Sequence, residues 1–177
     1  MPYRCYLYRM ETITVKFVVA ADSVIADIAR LGRAIVLEKY AGLAQAAVLE
    51  HYITTHFNEK TLTDSINNFS NQWLVAYAGE EAVGFARLSA KGKRPPVLHD
   101  KRSMGITAFF MLRAYADQVA LLEKCIGLGN QYDAIWLAEH AESPAIGLLE
   151  RYGFKKAEVA EQRADDLPLP FVYLVKA

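Results

Sequence analysis

The spacing of apolar and polar positions predicts a strand followed by a helix at the start of the chain. β-Branched residues dominate positions 12–19, which favours a strand that ends at Ala20-Ala21-Asp22. A helix then follows, with Asp22 or Ser23 placed to cap it. Its apolar positions recur at the helical period and are Val24, Ile28, Leu31 and Ile35.

Two further helices and a hairpin are predicted next. One helix covers 43–56, and another begins near Thr61, which forms a capping-box-like pair with Asp64. Phe69 is expected to close the apolar face of that third helix. Two short apolar segments, 73–77 and 83–88, then flank a turn at Gly79-Glu80-Glu81 and are typical of a β-hairpin.

A long basic loop separates this hairpin from a central strand. Residues 89–104 contain five basic residues against Asp100, and Pro95-Pro96 excludes regular structure there. Residues 106–116 then alternate between two apolar faces, which predicts a strand that ends near Tyr115. The basic residues are Lys91, Lys93, Arg94, Lys101 and Arg102.

The last part of the chain completes an α/β pattern. A short helix over 119–126 is followed by the breaker Gly127-Leu128-Gly129 and a buried strand over 134–138. Ser143 is predicted to cap the next helix, with Pro144 at its first position and Gly153 just past its end. Two strands, 155–161 and 171–176, flank a loop over 164–170. No linker or repeat divides residues 1–177, so we expect a single domain, with 1–11 as an accessory segment.

Composition excludes several classes of protein. The chain has 177 residues, 20 basic against 20 acidic, which argues against broad attraction to nucleic acid or anionic lipid. Charged residues interrupt every apolar stretch, so no membrane span is expected. Cys5 and Cys125 fit neither a disulfide framework nor a zinc spacing, and they favour a cytoplasmic location. His51 and His56 point apart on a helix, so no metal site is predicted.

The tyrosine-rich start leaves two interpretations open. Tyr3, Tyr6 and Tyr8 alternate along the first residues. They could add an edge strand or a contact within a homodimer. A frayed terminus fits the same residues equally well.

Several segments resemble one enzyme family. They are Trp73–Tyr77 with Ala82–Leu88, Tyr132–Leu137, and Pro144-Ala-Ile-Gly-Leu-Leu-Glu-Arg-Tyr-Gly-Phe154. Together they resemble the GNAT superfamily of acetyl-CoA-dependent N-acetyltransferases. Leu31-Gly-Arg…Tyr40-Ala-Gly-Leu43 and His56–Leu62 are similar to its branch of bacterial polyamine acetyltransferases. The resemblance implies an α/β (α+β) fold with a mixed, mostly antiparallel sheet of six or seven strands flanked by helices.

The same resemblance implies acetyl-CoA as cofactor, with a changed site for its pyrophosphate. The family's loop Gln/Arg-x-x-Gly-x-Gly/Ala presents backbone N–H groups to the anion. Here the chain enters the helix soon after Ala114, Tyr115 and Ala116, whose main chain is expected to line the cofactor, and Gln118 is a remnant of the loop. We interpret the loop as shortened, with Asp117 capping the helix in place of a phosphate. Gly127-Leu128-Gly129 is a C-cap turn and no substitute.

Catalytic candidates follow from the last strand and helix. Leu149 takes the place of the family's proton-donating tyrosine, and Tyr152, three residues on, is the substitute candidate, although it could simply pack against Phe154. Glu139 and Glu142 are candidate bases beside His140, or else members of a solvated loop.

Besides a nucleic-acid partner for the basic loop 89–104, whose charges could also simply be solvated, two functions remain open at this stage. One is an acetyltransferase that acts on a small primary amine through an eroded cofactor and general-acid site, with no nucleic acid and no membrane as partner. The other is a catalytically silent binding or regulatory module that does not bind acetyl-CoA in the usual way.

Overall fold

A computed structural model describes residues 12–157, 162–164 and 167–177, and over these residues the chain forms eight strands and five α-helices. The predictions for 1–11 and for most of 157–161 lie outside the described residues. The strands are β1 (Ile13–Phe17), β2 (Asn71–Ala78), β3 (Glu81–Ser89), β4 (Ser103–Met111), β5 (Ala134–His140), β6 (Lys155–Lys156), β7 (Gln162–Ala164) and β8 (Leu167–Lys176). The helices are α1 (Asp22–Tyr40), α2 (Ala46–His56), α3 (Glu59–Ile66), α4 (Ala120–Gly129) and α5 (Ala145–Arg151).

All the strands belong to one sheet. Its order is β1-β2-β3-β4-β5-β8-β6, with the short β7 paired to β8 beside this series. Every pairing is antiparallel except β4 with β5. The predicted mixed, mostly antiparallel sheet flanked by helices is confirmed, and β7 adds a short strand to it.

Two apolar layers hold the helices on the sheet. On one face, α1, α2 and α3 pack over side chains that include Val75 and Phe85. On the other face, α4 and α5 pack over side chains that include Leu74, Ala86 and Leu137. Successive strand residues point to opposite faces, so the alternation of the hairpin 71–89 supplies both layers.

The helices begin at residues other than those predicted. The N-cap of α1 is Ala21, and no side chain caps that helix, so Asp22 lies inside its first turn. Asn58 caps α3 by accepting a hydrogen bond from the Thr61 N–H at 2.9 Å, so the predicted Thr61–Asp64 capping box is wrong. In α5 the cap position falls on Pro144, one residue after the predicted Ser143, although the Ser143 hydroxyl accepts the Ala145 N–H at 3.2 Å.

The breaker predicted at the end of α4 is also wrong. The helix continues through Gly127 to Gly129, and neither glycine has a positive φ. Gly129 is needed instead for a close approach: a Cβ there would lie 2.6 Å from Cγ2 of Ile135. This glycine therefore lets the end of α4 lie against β5.

Phe69 does not close an apolar face. Its relative exposure is 106%, on the turn between α3 and β2, and Leu62 is the buried residue of α3. Local spacing cannot distinguish these two positions, because burial there depends on where the sheet lies.

The central strand begins and ends earlier than predicted. Instead of 106–116, β4 covers Ser103–Met111, and a 3-10 turn follows over Arg113–Tyr115. The last partner on β3 is Gly84, opposite Met111, and Leu112 then bonds to the Val83 carbonyl. The chain turns here because β3 begins at Glu81, just beyond these pairs, so little of β3 remains for β4 to pair with. Similarly, part of the predicted loop 164–170 is strand, since β8 begins at Leu167.

Candidate active site

The parallel strands β4 and β5 separate soon after they meet. Only three pairs join them: Ser103 with Ala134, Met104 with Ile135 and Gly105 with Trp136. Beyond that point β4 continues to Met111 and β5 to His140 without pairing to each other. A Cβ on Gly105 would lie 2.7 Å from Cζ2 of Trp136, so the indole lies against the backbone of β4 where the strands separate.

Two cavities lie where the strands separate. The aromatic cavity, about 330 Å³, lies between β4, β5 and β8 and is bordered by Tyr40 and Tyr52 from α1 and α2. The loop cavity, about 670 Å³, lies between the end of β4, residues 116–119 and the start of α5. Both cavities are lined by Lys39, Phe109, Phe110 and Glu139.

Glu139 and Lys39 form an ion pair at this junction. The Lys39 ammonium lies 2.7 Å and 2.9 Å from the two carboxylate oxygens of Glu139, whose side chain is only 4% exposed. The His140 N–H donates a second hydrogen bond to that carboxylate at 2.8 Å. A buried carboxylate needs such partners, because leaving it without them costs several kcal/mol (roughly 3–5).

The Tyr40 phenol beside the pair keeps its proton. Burial, followed by the charge of Glu139, raises the pKa of Tyr40 far above its ordinary value, so this phenol stays neutral. Tyr40 and Phe171 both contact the His140 ring edge-on, at centroid distances of 6.5 Å and 6.1 Å. His140 is therefore packed in the core. Of the two adjacent residues Glu139 and His140, it is Glu139 that lines the cavities.

The loop cavity ends at the N-terminus of α4. The cap position there is Val119, and no side chain within the described part of the chain caps the helix. The prediction that Asp117 caps α4 is wrong: Asp117 lies in the turn before it and accepts a 3.5 Å hydrogen bond from Gln118. The first N–H groups of a helix carry partial positive charge, so this end of the cavity suits an anion.

The structure separates the predicted cofactor residues into two pairs. Ala116 and Gln118 line the loop cavity. Ala114 and Tyr115 lie outside its lining, Ala114 on the surface and Tyr115 packed against the core beside α4. A 3-10 turn, in place of the predicted strand end, produces this division.

The predicted catalytic residues are also placed differently from one another. Glu139 is buried between the cavities, whereas Glu142 is exposed and lines neither. Tyr152 lines the loop cavity and donates a hydrogen bond to Glu123 of α4 at 2.9 Å, which raises the pKa of the Tyr152 phenol. Leu149 is buried in the core at 2% exposure. Sequence reasoning missed Lys39, since it precedes Glu139 by 100 residues and no local motif joins the two.

Comparison with solved structures shows which fold this is. No protein-family model matches the sequence, and neither does any curated protein. The PaiA N-acetyltransferase of Thermoplasma acidophilum, in complex with coenzyme A, has a TM-score of 0.72 at 15% identity, covering 92% of this chain and 98% of that chain. A GCN5-related N-acetyltransferase from Rhodopseudomonas palustris has a TM-score of 0.67 at 16% identity, covering 94% and 96%. The chain has the GNAT fold.

A third GNAT-like structure extends the comparison. The ribosomal-protein-S18-alanine N-acetyltransferase of Escherichia coli has a TM-score of 0.61 at 14% identity and covers 93% of both chains. Within the described ranges, this GNAT fold holds no cluster of His, Cys, Asp and Glu suited to a metal ion. No helix in the same residues is long and apolar enough to cross a membrane.

Proposed function

We propose that the protein is an acetyl-CoA-dependent N-acetyltransferase that acts on a small primary amine. The observation that carries this proposal is the separation of β4 and β5, with two cavities that meet at Glu139. A transferase of this kind must bring two substrates together, and a shared junction between two cavities provides that arrangement. We assign the cofactor to the loop cavity and the amine to the aromatic cavity.

The chain's own groups in the loop cavity fit acetyl-CoA. Where β4 and β5 no longer pair, their facing backbone groups can bond to a ligand that carries amides, as the pantetheine arm does. The uncapped N-terminus of α4 suits the pyrophosphate. When bound, acetyl-CoA supplies an activated acetyl thioester.

In our proposal, Ala116 and Gln118 border the cofactor, and the loop before α4 is shorter than the corresponding loop of the family.

Glu139 is the candidate base for the amine. An alkylamine is mostly protonated at pH 7, so it must lose a proton before it can attack an acyl group. Glu139 lies at the junction of the cavities, and among the residues described there it is the carboxylate common to both linings. Tyr152 is the candidate proton donor, because its hydroxyl borders the loop cavity and stays protonated.

A pair of alanine variants tests the cofactor site. Ala114 lies in the 3-10 turn and Ala116 directly follows that turn; both are exposed, but of these two only Ala116 lines the loop cavity. We expect Ala116→Trp to weaken acetyl-CoA binding at least about tenfold in calorimetric titration, because the indole fills the cavity. Ala114→Trp, the matched control, should bind as the wild type does. Absence of heat with the wild type at millimolar acetyl-CoA, or equal binding by both variants, would contradict the proposal.

A pair of glutamate variants tests the base. Loss of a general base typically lowers a rate by about 10²–10⁴. Glu139→Gln should lower turnover by that factor in an assay of coenzyme A release, whereas exposed Glu142→Gln should leave it unchanged. Equal effects of the two substitutions would remove Glu139 from this role. Tyr152→Phe, measured in the same assay, tests the proton donor.

A further inference from the structure

Ala138 is an exposed residue within an otherwise buried strand. All the other residues of β5 are buried, and Ala138 lines the aromatic cavity. Trp136 and His140, two residues away on either side, point to the same face of the sheet as Ala138. The aromatic cavity therefore reaches the sheet at this small side chain.

Two pairs of aromatic rings flank Ala138. On one side Trp136 meets Tyr173 edge-on, with the ring centroids 5.7 Å apart, and on the other His140 meets Phe171 edge-on, at 6.1 Å. Tyr173 is also the residue of β8 directly opposite Ala138. Aromatic rings prefer edge-to-face or offset contacts with one another, so the space over Ala138 suits a flat ring.

A single carboxylate serves this cavity within the described part of its lining. That carboxylate is Glu139, and the Lys39 ammonium already bonds to it at 2.7 Å. A substrate with several ammonium groups would leave most of them without a carboxylate, and burying an unpaired charge costs free energy. The cavity therefore suits a substrate with one amino group.

Aromatic faces can also attract cations, but Lys39 already lies over two of them. Its ammonium is 5.5 Å from the centroid of the Tyr40 ring and 5.8 Å from that of the Phe110 ring. A polyamine would compete with Lys39 for these faces, and like charges repel more strongly in a partly buried site than in water. The cavity thus differs from what the sequence resemblance to polyamine acetyltransferases implies.

We infer that the amine substrate is an aromatic monoamine, whose ring packs over Ala138 and whose single amino group reaches Glu139. This inference rests on the proposed function and names the class of amine that its site accepts. Ala138 and Glu139 are consecutive in β5, and strand residues rise about 3.3 Å each. A short alkyl linker between the ring and the nitrogen, as in 2-phenylethylamine, therefore spans the distance.

Three probes test the inference on the wild-type protein. They are 2-phenylethylamine, 2-cyclohexylethylamine, which has the same carbon skeleton without the aromatic ring, and spermidine. With acetyl-CoA present, we expect kcat/KM for 2-phenylethylamine to exceed that for the cyclohexyl compound by about two- to tenfold, the size of one aromatic pair. It should exceed that for spermidine by about tenfold or more. Equal or better use of either competitor would overturn the inference and leave the proposed function standing.

Binding without the cofactor separates the two proposals. Calorimetric titration of the same probes, with no acetyl-CoA, should give the same order of affinities. Equal binding of the phenyl and cyclohexyl compounds, or tighter binding of spermidine, would overturn the inference even if acetyl-CoA binds. Failure of acetyl-CoA to bind would defeat the proposed function, while this titration would still decide which class of amine the cavity takes.

Substitutions at the cavity locate the ring. Ala138→Phe places a side-chain ring in the same space, so we expect it to bind 2-phenylethylamine at least about tenfold more weakly. Ala26→Phe, at an exposed position of α1 outside both cavity linings, is the matched control and should bind as the wild type does. Phe171→Leu removes a ring but keeps an apolar side chain, and it should reduce the preference for phenyl over cyclohexyl. Equal binding by Ala138→Phe and Ala26→Phe would overturn the inference, and the wild-type titration decides it even if Ala138→Phe fails to fold.

Discussion

Removing the Lys39 side-chain charge should destabilise the protein through Glu139. In Lys39→Met the Glu139 carboxylate, 4% exposed, loses its cation and keeps only the His140 N–H at 2.8 Å. Breaking a fully buried ion pair costs about 3–5 kcal/mol. Lys39 is 25% exposed, so water can replace part of the lost interaction. We therefore expect the free energy of unfolding to fall by about 2–3 kcal/mol.

The double variant identifies the cause. In Lys39→Met/Glu139→Gln neither residue of the pair carries a charge, so at least ~1 kcal/mol of the loss should be regained. Urea unfolding, followed by the fluorescence of Trp73 and Trp136, measures all the variants, since both indoles are buried. Lys60→Met is the control, because its ion pair with Asp64 is exposed, and its urea midpoint should not move. A double variant less stable than Lys39→Met would refute the argument.

Two further predictions concern packing. Gly105→Ala should lower the free energy of unfolding by ~1–3 kcal/mol, because its Cβ would lie 2.7 Å from the Trp136 ring. Gly127→Ala, with open space around it in α4, should raise the free energy of unfolding by ~0.5–1 kcal/mol. Thermal unfolding compares the two variants, and equal shifts in their melting temperatures would contradict the packing described. In a Cys5→Ser background, Cys125 should resist a thiol reagent at pH 8 until the protein unfolds, because burial raises the pKa of its thiol to about 12. Rapid reaction of the native protein would contradict this prediction.

The sequence predicts the order and type of the main elements because their apolar periods are long and regular. Nineteen residues at the helical period make α1, and the alternating 71–89 hairpin provides two strands. Element ends are predicted less well, since they depend on neighbours. β4 ends at Met111, close to the start of β3, and α4 continues through Gly127 to Gly129.

The candidate site could be predicted only in part, for a similar reason. Glu139 follows directly from its place at the end of a buried strand. Its partner Lys39, by contrast, comes from a helix far away in sequence. Such contacts exist only once the sheet and helices have packed, so no local pattern can predict them. The separation of Ala114 from Ala116 likewise depends on the 3-10 turn.

The two cavities draw most of their walls from different parts of the polypeptide. The helical residues that border the aromatic cavity lie before position 53, whereas the loop cavity has much of its wall in 109–119 and 143–152. Under the proposed assignment, substitutions in the first set would therefore change which amine is accepted and would leave the affinity for the cofactor unchanged. Lys39, Phe109, Phe110 and Glu139 are exceptions, because each borders both spaces, and under the proposed assignment a change in any of them would alter both affinities together.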